Sequence, residues 1–94
     1  MGHRDARYDL IKPMFIGGKI KTFSDIFKFI PKTVVATDLG KKVDRFTDLM
    51  NKVEGFTVQE LFMMATFFEL EESEILSLVE NQYKMSKDKI KKLK

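Results

Sequence analysis

Three basic side chains near the middle of the sequence are its best candidates for binding chemistry. Lys41, Lys42 and Arg45 follow a glycine and lie at or near the start of a predicted helix. Cations clustered in this way neutralise phosphate groups and hydrogen-bond to their oxygens. Lys32 and Thr33 stand at the start of the preceding predicted helix, where free backbone N–H groups also bind anions. Together these residues predict a phosphate-binding surface.

No catalytic or metal-binding set of side chains is indicated. The chain has no cysteine and a single histidine, His3, so thiolate, Cys/His and Ser/His/Asp sites are excluded. Gly17 and Gly18 form no phosphate-cradling loop, because further glycines and a Lys-Ser/Thr pair are missing. Four nearby acids are expected to form a solvated helix start instead of a metal site: Glu69, Glu71, Glu72 and Glu74. We therefore expect neither an enzyme nor a cofactor.

Charge divides the chain into three segments of alternating sign. Residues 1–55 carry eleven Lys and Arg against seven acids, residues 56–83 carry six Glu and no Lys or Arg, and residues 84–94 carry six Lys against one Asp. A basic face and tail with an acidic back are typical of a small protein that binds nucleic acid, since phosphate neutralisation dominates affinity. A lysine-rich tail also serves solubility alone, and that alternative stays open.

Length and composition predict one small cytoplasmic domain. Ninety-four residues can bury one modest core, to which nine Phe and six Met contribute bulk. No apolar run approaches the roughly 20 residues of a membrane span, and the polar first residues do not resemble a signal peptide. We expect a domain over residues 20–83, preceded by an extension, 1–19, that is a short helix or an irregular arm. A basic, frayed tail, 84–94, should follow it.

Residues 32–50 predict two short helices around a tight turn. Ala36 is small enough for two helices to cross closely, and Gly40 can adopt the positive φ that ends a helix. Such a pair is either a DNA-binding helix-turn-helix, whose second helix enters the major groove, or an ordinary helical pair of a small bundle. Apolar residues recur at helical spacing on one face of each helix: Val35, Ala36 and Leu39, then Val43, Phe46, Leu49 and Met50.

Capping signals predict further helices on both sides of this pair. Thr22 and Asp25 resemble a capping box, and Pro31 separates that helix from the next. Thr57 and Glu60 form a second capping box. The predicted apolar faces are Phe23, Ile26, Phe27 and Ile30; then Leu61, Met64, Ala65 and Phe68; and, in the last helix, Ile75, Leu76, Leu78, Val79 and Tyr83.

In these features the chain resembles the phage Cro and repressor proteins, a family of XRE-type helix-turn-helix regulators. Ala36 stands at the family's alanine in the first helix of the pair, Gly40 at its turn glycine, and Phe46 at its buried aliphatic residue in the second helix. The resemblance covers residues 20–82 and implies an all-α, five-helix lambda-repressor-like domain. The later helices match at Leu61, Phe62, Met64 and Ala65, and over residues 71–79.

The resemblance also implies which side chains face DNA bases. At the base-facing positions the family often carries Gln, Ser, Arg or Asn, whereas this chain has aspartates at two of them, Asp44 and Asp48. An aspartate accepts a hydrogen bond from cytosine N4, yet its charge repels phosphates. Lys41 departs from the family as well, since an apolar residue usually follows the turn glycine. The implied base-facing residues are Val43, Asp44, Thr47 and Asp48, and Asn51 and Lys52 just past them are further phosphate candidates.

We expect a small transcriptional regulator, from a bacterium or a mobile element, that binds double-stranded DNA. The alternative is a protein-interaction module that keeps the fold and has lost DNA recognition; the aspartates favour it and the basic residues oppose it. The resemblance suggests a homodimer through the last helix, where Leu76, Val79 and Tyr83 form an apolar strip unless the core absorbs them. Neither a membrane nor a small-molecule ligand is indicated.

Overall fold

Helices form all regular secondary structure in residues 4–92, the part of the chain that the computed structural model describes. That part contains no strand, so the predicted all-α class is confirmed. His3 lies outside it. The α-helices are α1 (Ile11–Ile16), α2 (Lys32–Leu39), α3 (Val43–Asn51), α4 (Val58–Phe68) and α5 (Glu72–Lys92), with 3-10 helices at Ala6–Leu10, Phe23–Lys28 and Val53–Gly55.

The N-terminal segment is part of the core. Tyr8 and Ile11 are buried, and the Tyr8 ring lies 5.8 and 5.7 Å from the rings of Phe67 and Phe68 in α4. The Tyr8 hydroxyl donates to Asp38 Oδ2 over 2.6 Å, which satisfies the buried phenol. Burial, aided by the Asp38 carboxylate, raises the pKa of Tyr8. This segment therefore joins α4 to the end of α2.

The predicted helix after Thr22 is present as the 3-10 helix Phe23–Lys28. Asp25 Oδ2 accepts the N–H groups of Lys21 and Thr22 at 2.9 and 3.1 Å, so the carboxylate caps the helix start as the sequence indicated. Two of its predicted apolar residues, Phe23 and Ile26, are fully buried.

Four phenylalanine rings form a closed cluster in the core. Neighbouring rings meet edge to face at centroid distances of 5.3 Å for Phe23 with Phe27 and with Phe56, and 5.6 Å for Phe46 with the same two rings. Each such pair contributes about 0.5–1.5 kcal/mol beyond its buried area. Phe46 is 0% exposed, which confirms its predicted burial. Through this cluster α3 packs against the 3-10 helix Phe23–Lys28 and against Phe56, two residues before α4.

Helices α2 and α4 end in the same left-handed cap. Gly40 follows α2 with φ 78°, and its N–H and the next one bond back to the last turn at 3.0 and 2.9 Å. Glu69 follows α4 with φ 58° and makes the same two bonds, at 3.2 and 2.9 Å. This is the Schellman motif, which a glycine adopts without strain and a glutamate does not.

The last helix packs along the other elements by its first half. Ile75 and Leu78 are buried, and Ser24 Oγ donates to Gln82 Oε1 over 2.6 Å. The helix continues through the predicted boundary at Tyr83 to Lys92, and the final two residues of the predicted tail lie outside the described part. In residues 4–92 no helix is both long and apolar enough to span a membrane.

Candidate nucleic-acid interface

Helices α2 and α3 are joined by three residues, 40–42, whose path depends on Gly40. A side chain at Gly40 would meet no atom within 4 Å, so its φ of 78° alone favours glycine there. On the inner faces Val35, Ala36 and Leu49 are buried, as the helical spacing predicted. The two helices are thus fixed to the core by one face each, which leaves the opposite face of α3 in solvent.

Lys41 turns from this connection toward α4. Its ammonium pairs with Glu60 Oε2, and the two side chains are only 22% and 18% exposed. Glu60 Oε1 accepts the Thr57 N–H at 2.9 Å, and Thr57 Oγ1 accepts the Glu60 N–H at 3.1 Å, so the predicted capping box is confirmed. Burial alone would raise the pKa of Glu60, but the hydrogen bonds from Lys41 and Thr57 outweigh it and lower that pKa. Lys41 therefore connects the turn to the first turn of α4.

The outward face of α3 carries charges that the fold does not use. Lys42, Asp44, Arg45 and Asp48 are exposed. Among the described residues, none of these four side chains makes a hydrogen bond or an ion pair. Lys42 and Lys41 are neighbours in sequence, yet only Lys41 has an internal partner. The structure thus separates one structural lysine from a group of available charges.

Two of the implied base-facing residues are partly taken up by the fold. Val43 is half-buried and packs against the core. Thr47 is half-buried too, and its hydroxyl donates to the Val43 carbonyl over 2.9 Å. Asn51 and Lys52 are exposed beyond them. The exposed side chains of α3 are therefore those of the two aspartates, Arg45 and Asn51.

The starts of α2 and α3 differ from the start of α4. Within the described part of the chain, no side chain caps α2 or α3, whose N-cap residues are Pro31 and Lys42, whereas Thr57 caps α4. In α2 the Val34 N–H donates to the Pro31 carbonyl at 3.1 Å. The other first-turn N–H groups of α2 and α3 have no acceptor among the described residues and can bind an external one such as phosphate. Thr33 is exposed and Lys32 half-buried in the first turn of α2.

At the start of α5 the Glu74 carboxylate makes contacts within the protein. Glu74 Oε1 accepts the Glu71 N–H at 2.7 Å and pairs with Lys12 Nζ at 2.8 Å. Lys12, and then the Glu71 N–H, lower the pKa of Glu74. Within the described residues no three His or acidic side chains are placed to hold a metal ion.

Two features of α5 bear on partners. Of the predicted apolar strip, Leu76 and Tyr83 are each 40% exposed, whereas Val79 is half-buried against the core. Tyr83 also belongs to a cleft that sequence reasoning missed, between the end of α3 and the second half of α5. No sequence pattern indicated it, because it joins residues 51–54 to residues 83–87.

Comparisons with protein-family models, with curated proteins and with solved structures found no match to this chain.

Proposed function

We propose that the protein binds double-stranded DNA through α2 and α3 as a lambda-repressor-like helix-turn-helix regulator, acting in the cytoplasm of a bacterium. The observation that carries this proposal is the outward face of α3, where Lys42, Asp44, Arg45 and Asp48 are exposed and free of internal partners in the described part of the chain. Folding leaves these charges available to a partner outside the chain.

Phosphate binding follows from the basic side chains and the helix starts. Lys42 stands at the uncapped start of α3 and Arg45 one turn further on, so both reach phosphates that flank the major groove. Lys32 and Thr33 supply the same chemistry at the start of α2, and Lys52 lies past the end of α3. Lys41 is not available without loss of its ion pair with Glu60.

Base reading would fall to the two aspartates. A carboxylate at Asp44 or Asp48 can accept a hydrogen bond from cytosine N4 in the major groove, and each good contact discriminates by about 1–3 kcal/mol. Val43 and Thr47 would contribute at most apolar contacts, because both are partly buried. The operator expected from this face contains cytosines in each half-site.

A homodimer through α5 would present two copies of α3 to a twofold operator, about 34–36 Å apart. Leu76 and Tyr83 are the exposed apolar residues that such a contact would cover. Sedimentation at high micromolar concentration, with and without duplex, measures this. A dimer in either state supports the proposal, and a monomer in both contradicts it.

The second candidate is a protein-interaction module on the same scaffold. Its supporting observation is that Asp44 and Asp48, on the face that would approach an anionic duplex, are exposed acids without a partner among the described residues. Their repulsion weakens every phosphate contact, whereas a basic protein partner would bind them.

Salt-dependent duplex binding tests the first proposal. The logarithm of the affinity of the full chain for genomic and random duplexes should fall linearly with the logarithm of salt concentration. Lys42→Gln with Arg45→Gln should flatten the slope by about two units, at roughly 0.9 per phosphate contact. The matched control, Lys28→Gln with Lys84→Gln, removes two exposed charges elsewhere and should change the slope much less. Equal flattening by both variants, or no binding at low salt, would contradict the proposal.

A further inference from the structure

A half-open cleft of 330 Å³ separates the end of α3 from the second half of α5. Ligand pockets range from about 300 to 1,000 Å³, so this one has room for a single small molecule. One wall is formed by the end of α3 and the 3-10 helix Val53–Gly55, and the other wall by residues one turn apart on α5. The lining residues are Asn51, Lys52 and Glu54 on one side, and Tyr83, Ser86 and Lys87 on the other.

The two lysines of the cleft give it an anion-binding character. Lys52 and Lys87 stand on opposite walls, and both are exposed. Lys52 makes no ion pair within the described residues. The Asn51 amide and the Ser86 hydroxyl add two hydrogen-bond donors beside them. Since the lining holds two cations and one carboxylate, Glu54, it suits one phosphate better than a chain of phosphates.

Tyr83 adds a flat apolar surface to these donors. Tyr83 is 40% exposed, whereas Ile75 and Leu78 earlier in the same helix are buried. The Lys87 ammonium lies 5.9 Å from the centre of this ring. A planar group stacked on Tyr83 would therefore sit next to the cation that binds its phosphate.

We propose that this cleft binds a single nucleotide unit, with its phosphate between Lys52 and Lys87 and its base against Tyr83. Glu54 then accepts a hydrogen bond from a sugar hydroxyl or a base amino group. A free mononucleotide and one nucleotide of a nucleic-acid strand share this chemistry.

Occupation of the cleft has consequences for the proposed dimer and for the DNA face. Tyr83 cannot stack on a base while a second copy of α5 covers it, so nucleotide binding would oppose that dimer. Asn51 and Lys52 are also phosphate candidates next to α3, so a nucleotide in the cleft would compete with duplex. That competition rests on the proposed DNA binding, whereas the cleft itself does not. A chain that binds nucleotide and no duplex would overturn only the DNA proposal.

Heteronuclear NMR of the ¹⁵N-labelled full chain tests the cleft. Adenosine monophosphate should shift the amides of residues 51–54 and 83–87 and leave those of α4 in place. Inorganic phosphate should shift a subset of them and bind at least fivefold more weakly, because it lacks the ring. No shifts at 10 mM adenosine monophosphate, or equal affinity for the two probes, would overturn the proposal.

Substitutions distinguish binding in the cleft from non-specific electrostatic attraction to the lysines of α5. Lys52→Gln and Lys87→Gln should each weaken adenosine monophosphate binding at least threefold, and Tyr83→Leu should lower the affinity to that of inorganic phosphate. Glu54→Gln keeps an oxygen that accepts the hydrogen bond from the sugar or base and removes the repulsion of the phosphate, so it should strengthen binding. The matched control is Lys84→Gln, on the same helix, whose ammonium pairs with Glu80 at 3.1 Å outside the cleft. An equal loss in Lys84→Gln and Lys87→Gln would overturn the proposal.

A single-stranded adenine octamer identifies the source of the nucleotide. If the octamer shifts the same amides and binds at least tenfold more tightly than adenosine monophosphate, the cleft takes one nucleotide of a strand. If the two bind within threefold of each other at those amides, it takes a free nucleotide. Octamer shifts confined to other residues would assign the free nucleotide as well.

Discussion

The two faces of α3 differ in how completely the fold uses them. On the inner face Phe46 and Leu49 are buried, and Phe46 completes the ring cluster. On the outer face Asp44, Arg45 and Asp48 are exposed and have no partner in the described part of the chain. Packing therefore determines the residue types on the inner face of α3, whereas the contacts of the described residues do not determine those on its outer face. Because folding does not require the charges of the outer face, we look for the function of the protein there.

The same contrast recurs between two adjacent lysines. Lys41 pairs with Glu60, which also caps α4, whereas Lys42 extends into solvent. Substitutions at Lys41 should therefore act on stability, and those at Lys42 on binding.

The largest expected effect lies on the inner face. Phe46→Ala should lower the free energy of unfolding by about 3–5 kcal/mol, because it leaves a cavity and removes two edge-to-face contacts. Urea denaturation measures it. The matched control is Arg45→Ala, next to it on the outer face, which should stay within about 0.5 kcal/mol of wild type. A folded Phe46→Ala protein within 1 kcal/mol of wild type, on the order expected for a surface change, would contradict the assigned packing.

The next largest effects on stability are expected at the two left-handed caps, where substitutions at Gly40 and Glu69 should change the free energy of unfolding in opposite directions. Gly40→Ala should destabilise by about 1–2 kcal/mol, because an L side chain at φ 78° is strained although space is free. Gly40→Asn should be milder. Glu69→Gly should stabilise by about 0.5–1 kcal/mol, since it relieves the same strain at φ 58°. Thermal and urea unfolding of the three variants measure this. If Glu69→Gly destabilised as much as Gly40→Ala, the caps would not be equivalent.

The smallest expected effect is the difference in stability between substitutions at Lys41 and at Lys42. At pH 7 Lys41→Gln should destabilise by about 1 kcal/mol and Lys42→Gln by only a few tenths, roughly the range of a half-buried against an exposed charge. Glu60 has a lowered pKa in the folded state, so its contribution is complete above the ordinary value of 4.5 and is lost as pH falls below it. The gap between the two variants should therefore close between neutral pH and acid. A gap that widens in acid would contradict the Lys41–Glu60 pairing.

Local signals in the sequence predicted the elements around the turn. Gly40, the Thr57–Glu60 capping box and the spacing of Val35, Phe46 and Leu49 each specify a conformation within a few residues, and each was found. The resemblance to phage repressor proteins stays a prediction.

Contacts distant in sequence were not predictable. Tyr8 and Ile11 are buried in the core, and Tyr8 contacts Asp38, Phe67 and Phe68, which are far along the chain. No local pattern indicates such contacts, so the sequence predicted an extension here. The left-handed Glu69 carries no sequence signal, because glutamate rarely adopts that conformation. The Lys41–Glu60 pair likewise became visible only when α4 packed beside the turn.

The central claim is that the outer face of α3 binds DNA, and the duplex affinity of the aspartate variants tests it most directly. Wild type should bind duplex at low salt, and Asp44→Ala with Asp48→Ala, which removes both acceptors, should retain that binding while losing about 1–3 kcal/mol of sequence preference per contact. The opposite pattern would contradict the claim: no wild-type binding to any duplex at low salt, with binding gained by the double variant. The face would then be one on which the aspartates exclude DNA, and the protein-interaction function would replace the DNA-binding one.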